Sequence, residues 1–285
     1  MISYEVRSKG DVTMKTLFVS DLDGTLLRSD ETLSQFTIDK INELTQKGML
    51  FSYATARSLV TAKKVTKGLN SHIPLIVYNG TFVMDNVTEE ILIANYFDEG
   101  IEDVFCDLFK EGIYPIVYSY VDGIEKFSYI PERCTEGMKA FLDTRKGDKR
   151  TNEVRTIGYL TAGECFYITC IDEPEKLEPL FEKYKGRYHV VYSKDVYSEF
   201  QWLEIMPKTA SKANAILQLK EKLGCGRIIS FGDGANDIDM FEISDEAYAV
   251  DNAIDDLKTV ATGVLGGNND DGVVKWLCAN IKSLY

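Results

Sequence analysis

Histidine is nearly absent from this chain, with His72 and His189 the only two in 285 residues. Neither lies in a motif, and both read as structural. The six cysteines (Cys106, Cys134, Cys165, Cys170, Cys225 and Cys278) are scattered and form no C-x-x-C pair. That leaves no zinc spacing and no disulfide framework, and a chain of this length needs no such staples. Free thiols in a reducing cytoplasm are expected. No window approaches ~18 consecutive apolar residues, which excludes a membrane-spanning helix. Met1 to Met14 is polar and charged, unlike a signal peptide, and the first thirteen residues read as a disordered extension. Positive charge is also scarce: 32 Lys and Arg against 45 Asp and Glu leave a formal net charge of −13. Nucleic-acid binding rests on neutralising phosphates with Lys and Arg, so that class of partner is excluded. A small phosphorylated molecule is an anion too. A site for one must bring local positive charge from a metal, a lysine or backbone N–H groups.

What is present is ordinary for a globular protein: 45% hydrophobic and 27% charged residues argue against disorder. Thr16 to Ser20 is an apolar run ending in acidic residues and glycine, a buried strand feeding a loop. Ser34 to Lys47 has a helical rhythm through Phe36, Ile38, Ile41 and Leu44, with Gly48 as its stop. A strand (Met49 to Ala54), a helix (Leu59 to Lys67) and a strand (Pro74 to Tyr78) follow, predicting a parallel sheet with right-handed crossovers. After Asn79-Gly80 the rhythm changes to hairpins and helices, including strands around the turn signal Asp122-Gly123. Strand–helix alternation returns at Ser211. The expected fold is therefore α/β: a doubly wound, Rossmann-like parallel sheet interrupted by an α+β insertion. Residues 1–84 and 205–285 form the expected core, and residues 85–204 the inserted cap domain.

Two acidic clusters follow apolar strands: Asp21-Leu22-Asp23-Gly24-Thr25-Leu26 after Thr16 to Ser20, and Gly232-Asp233-Gly234-Ala235-Asn236-Asp237 after Arg227 to Phe231. Ligand sites in open parallel sheets lie beyond the carboxyl ends of the strands. If these strands are neighbours, Asp21, Asp23, Asp233 and Asp237 meet in one cleft. Carboxylates so gathered require a cation, and an all-oxygen donor set suits Mg²⁺. A carboxylate can attack phosphorus to form an aspartyl-phosphate, with Mg²⁺ offsetting the repulsion between anions. Asp23, two residues on, can protonate the leaving oxygen and then activate water. Gly24 permits a tight loop, and N–H groups there and at Thr25 can hold phosphate oxygens. Thr55, ending the second strand in Ala54-Thr55-Ala56-Arg57, can donate to phosphate. Arg57 is placed equally well in a phosphate or cap contact or in a surface ion pair. Lys212 opens the helix after the insertion, where its ammonium would neutralise a phosphorylated intermediate.

These residues resemble the haloacid dehalogenase superfamily, and within it the Cof-type sugar-phosphate phosphatases. D-x-D-G-T-L at Asp21 to Leu26, Thr55, Lys212 and G-D-G-x-N-D at Gly232 to Asp237 are similar to its four motifs, in order, with a cap-sized insertion between the second and third. Tyr78-Asn79-Gly80 and Asn268 to Val273 look like further Cof-type elements. The resemblance implies Asp21 as nucleophile, Asp23 as general acid/base, and Mg²⁺ held by Asp21, the Asp23 backbone carbonyl and Asp233. Asn236 and Asp237 would help position phosphate and metal-bound water. Asn79 and Gly80 would join the substrate-binding set, and the insertion would act as a cap over the substrate. One departure stands in the second motif, where Ala56 replaces a common glycine and could tighten the loop. The expected activity is a Mg²⁺-dependent phosphatase acting on small phosphate monoesters, in a cytoplasmic monomer or small homo-oligomer. A phosphomutase of the phosphomannomutase type and a non-catalytic phosphate-responsive module are the rival readings.

Overall fold

The computed structural model describes residues 15–70, 73–98, 100–194 and 200–281. The expectations for the first thirteen residues and for His72 lie outside them. Two compact units emerge: Met1–Ile76, Met84–Glu90 and Ile216–Tyr285 in one, Val77–Val83 and Ile91–Ala215 in the other.

The first unit is built on β1 (Thr16–Ser20), in which Leu17, Phe18 and Val19 are wholly buried. Burying each such side chain contributes roughly 1.5–3 kcal/mol, which fixes this strand at the centre. On one side it pairs in parallel with β2 (Leu50–Tyr53), and on the other with β12 (Arg227–Gly232). β13 (Glu246–Ala249) and β14 (Gly263–Val264) complete a sheet in the order β14-β13-β12-β1-β2. The chain leaves β1 for β2 on one flank and returns much later as β12 on the other. The register Ser20↔Phe231 and Ser20↔Tyr53 brings the carboxyl ends of all three strands to one edge. This is a switch point of the kind where open α/β sheets bind ligands.

Helices α1 (Gln35–Gln46) and α2 (Leu59–Val65) link the early strands, each begun by a serine hydroxyl accepting an N–H: Ser34 from Thr37 and Ser58 from Thr61. Such caps satisfy amides that the first turn leaves orphaned. The buried face of α1 is Thr37, Ile41 and Leu44, while Phe36 is exposed. Ile41 and Leu44 of the apolar rhythm are thus buried, and Phe36 departs from it. Helices α8 (Ile238–Glu242), α9 (Asp255–Val260) and α10 (Gly272–Asn280) follow β12, β13 and β14.

In the second unit, six strands run in the order β10-β11-β9-β6-β7-β8. They are β6 (Ile116–Val121), β7 (Ile124–Tyr129), β8 (Thr151–Glu153), β9 (Glu164–Asp172), β10 (His189–Lys194) and β11 (Gln201–Met206). All neighbours are antiparallel except β7 and β8. One face carries Val117, Ile168, Cys170, Leu203 and Ile205 against α3 (Ile101–Lys110) and α6 (Pro174–Tyr184). The other packs Ile116, Phe127, Tyr129 and Ile171 on Met138 of α4 (Glu136–Asp143). β8 and α5 (Ile157–Leu160) lie in a stretch that reads from sequence as plain loop. Short strands β3 (Leu75–Val77), β4 (Phe82–Met84) and β5 (Ile91–Ala94) form a third sheet. α7 (Lys212–Leu223) leads back into β12. Among the described residues no helix is long and apolar enough to cross a membrane.

Candidate active site

The Asp21 amide donates to the Phe231 carbonyl at 2.9 Å, carrying the β1–β12 ladder one step past the strand. The chain then turns sharply through Leu22–Leu26. Gly24 adopts φ +74°, and a Cβ built there would stand 2.2 Å from Asp233 Oδ2. Only glycine lets the loop lie against that carboxylate. On the facing strand end, Asp237 is wholly buried, and its Oδ2 accepts the Asp233 and Gly234 amides at 2.9 and 3.0 Å. One carboxylate thus shapes the turn that presents another. Asp21, Asp233 and Asp237 each bring a carboxylate oxygen to within 4.8 Å of the others.

Three carboxylates, two of them buried, repel unless a cation sits among them. Their donors are all hard oxygens, the chemistry Mg²⁺ prefers. The residues fit that ion.

Asp23 is not part of this cluster. Its carboxylate faces the Arg57 guanidinium, with Nε–Oδ2 at 2.8 Å and Nη2–Oδ1 at 2.5 Å. Arg57 also reaches Glu31 Oε2 at 2.9 Å. Thr55 is fully buried at the end of β2, and its Oγ1 accepts the Arg57 amide at 3.1 Å. Of the two placements open to Arg57 in the sequence, its side chain takes the ion pair, with Asp23 and Glu31. Ala56 is exposed.

Thr25 is buried, and its hydroxyl donates to Asp233 Oδ1 at 2.7 Å. Asn236 is exposed on the turn beside Asp237. In the second unit, Lys212 is buried at the first position of α7. There Tyr78, Asn79 and Gly80 all take positive φ. A Cβ at Gly80 would meet the Ser211 carbonyl oxygen at 2.1 Å, so this turn packs directly on the residue preceding Lys212. Asn79 is buried, with Nδ2 3.9 Å from Met206 Sδ.

Three residues outside the motifs hold the Asp21 loop. Asn252 Nδ2 donates to the Gly24 carbonyl at 2.7 Å and Asn268 Nδ2 to the Leu27 carbonyl at 2.9 Å, while Asp271 takes Arg28 and the Thr37 hydroxyl. Asn268 is buried. Its place in the Asn268 to Val273 element was the one sequence signal for this latch; nothing marked Asn252 or Glu31.

Known proteins with this organisation cover nearly the whole chain. A phosphatase-named protein of Streptococcus pyogenes serotype M6 is 28% identical over 92% of this chain and 98% of its own. The Bacillus subtilis 5-amino-6-(5-phospho-D-ribitylamino)uracil phosphatase YwtE is 26% identical over 93% and 98%. The crystal structure of TM0651 from Thermotoga maritima superposes with a TM-score of 0.75 at 27% identity, over 93% of this chain and 97% of that one. The description of the haloacid dehalogenase-like hydrolases matches residues 18–277, and the chain belongs to that family.

Proposed function

We propose that this hydrolase is a Mg²⁺-dependent phosphatase of small phosphate monoesters, sugar phosphates or similar metabolites, working in the cytoplasm through an aspartyl-phosphate. The observation that carries the reading is the arrangement of four aspartates at the β1 and β12 ends: three converge, and the fourth is held apart on an arginine. One carboxylate environment suits a cation and a nucleophile, and the other keeps its carboxylate clear of the cation. Phosphatase-named relatives, among them the ribitylaminouracil phosphatases, support the same chemistry.

Asp21, Asp233 and Asp237 would hold the ion, with the Asp23 backbone carbonyl. When bound, Mg²⁺ offsets the negative charge of the phosphoryl group. An Asp21 oxygen attacks phosphorus, the ester P–O bond breaks, and the departing alkoxide takes the Asp23 proton. Asp23, now a carboxylate, accepts a proton from water as that water attacks the aspartyl-phosphate, releasing inorganic phosphate and restoring Asp21. The Thr55 hydroxyl and Lys212 ammonium are assigned to the phosphoryl oxygens, together with Gly24 and Asn236. Residues 85–204 are assigned the choice of leaving group.

The test is inorganic phosphate release from a panel of sugar phosphates and 5-amino-6-(5-phospho-D-ribitylamino)uracil, with and without Mg²⁺. Wild type should release phosphate steadily and only with the ion, and Asp21→Asn should abolish release. Full activity in Asp21→Asn and Asp23→Asn would overturn the site. Phosphate moved between sugar positions without release would point to a mutase instead.

A further inference from the structure

Asp21 and Asp23 are two residues apart, but a tight turn begins at Leu22 between them and their carboxylates part company. Asp21 joins Asp233 and Asp237, whereas the Asp23 carboxylate is gripped in a two-pronged fork by Arg57 Nε and Nη2. Fork-to-carboxylate pairing fixes orientation as well as distance. Glu31 holds the guanidinium at Nη2, and the Thr55 hydroxyl accepts the Arg57 backbone amide. Glu31 takes φ +60° inside a turn closed by the Arg28 and Glu31 amides, an unusual conformation for a residue with a Cβ.

From these contacts we infer that Arg57 is a positioning residue that fixes the orientation of the Asp23 carboxyl, clear of the metal cluster, for proton transfer with the leaving group. This rests on Asp23 being the general acid of the proposed phosphatase. The pair contributes little to folding, because Asp23 and Glu31 have side chains 48% and 66% exposed and exposed ion pairs are weak. Arg57 can therefore be replaced without unfolding the protein.

The experiment compares two esters that differ in their need for a proton. p-Nitrophenyl phosphate releases a stabilised phenolate unaided; phenyl phosphate releases a more basic one. The quantity read is the ratio of their kcat values in wild type, Arg57→Gln, Arg57→Lys and Asp23→Asn. Asp23→Asn should raise the ratio by roughly 10-fold or more, since general acids contribute about 10²–10⁴-fold. Arg57→Gln should raise it by a comparable factor with KM nearly unchanged. Arg57→Lys keeps the charge without the fork and should fall between.

If Asp23→Asn raises the ratio and Arg57→Gln lowers both rates equally, the positioning role is wrong and the phosphatase reading stands. A rise in KM for both esters in Arg57→Gln overturns it in favour of a phosphate contact. If Asp23→Asn leaves the ratio unchanged, Asp23 is not the acid and the underlying reading fails. A wild type that hydrolyses neither ester, nor any on the panel, overturns both.

Discussion

Replacing Thr25 with valine removes one hydroxyl and almost no volume. That hydroxyl donates to Asp233 Oδ1 at 2.7 Å from a residue 2% exposed. A buried hydrogen bond to a charged acceptor is worth about 1.5–3 kcal/mol. Loss of that amount from the orientation of Asp233 corresponds to roughly 10–100-fold in an equilibrium constant, at about 1.4 kcal/mol per decade. Removing a partner of a metal-ligating residue commonly costs about 10–100-fold in affinity, which agrees. The measurement is the Mg²⁺ concentration that gives half-maximal phosphate release, paired with the Mg²⁺-induced rise in thermal midpoint without substrate. In Thr25→Val the half-activating concentration should increase by that factor. The thermal response should shift to higher Mg²⁺ in parallel, while KM at saturating Mg²⁺ stays within about 3-fold, as for a lost ligand-orienting contact. Thr25→Ser keeps the hydroxyl and should stay near wild type. A Thr25→Val enzyme with wild-type Mg²⁺ response and a raised KM would refute the reasoning, because the hydroxyl would then serve phosphate rather than Asp233.

Arg150 of the second unit bonds Glu125 Oε1 at 2.6 Å, the Tyr78 hydroxyl at 3.0 Å and Asp148 Oδ2 at 2.7 Å, with side chains 11%, 16% and 11% exposed for Arg150, Glu125 and Asp148. Arg150→Met strands two poorly hydrated carboxylates at a cost of about 3–5 kcal/mol. The thermal midpoint of this unit should drop by roughly 6 °C or more, and a drop under about 2 °C would refute the assignment. Thiol labelling should be selective: Cys106 is exposed, while burial pushes the Cys134 thiol up to about 11 and Cys165 to about 12. Only the thiolate reacts, so a disulfide reagent near pH 8 should give one fast phase that disappears in Cys106→Ser. A fast phase surviving that substitution would show another thiol in reach.

The groups expected to carry the reaction were legible because a parallel sheet leaves few places for them. A strand buried on both faces is written as a largely apolar run, as in Leu17 to Val19 and in Ile228 to Phe231, where Ser230 is the one polar residue. Once two runs are parallel neighbours, the residues just past their carboxyl ends must be neighbours too. Asp21 and Asp233 could thus be brought together without knowing any loop. Elements too short to develop a period escaped this logic: β8, α5 and β14 are three, four and two residues long. The first turn of α1 escaped it as well: Phe36 is exposed and Thr37 is buried, its hydroxyl 3.2 Å from Asp271 Oδ1.

The partners that aim the carboxylates were not legible, for a related reason. Thr25 meets Asp233 across 208 residues, Asn252 meets Gly24 across 228, and Arg57 meets Asp23 across 34. Each pairing joins one loop to another, and loop ends carry no periodic pattern to set their register. A threonine reads alike whether its hydroxyl will meet a phosphate or a carboxylate, and an arginine reads alike on phosphate or on aspartate. Strand order locates charged groups to within a loop's width, whereas the selection of one oxygen over another is made by side chains whose own positions depend on the loops they tie down. Thr25 and Arg57 therefore separate two properties that sequence patterns merge: which residues gather at the switch point, and which of them touch the reacting atoms.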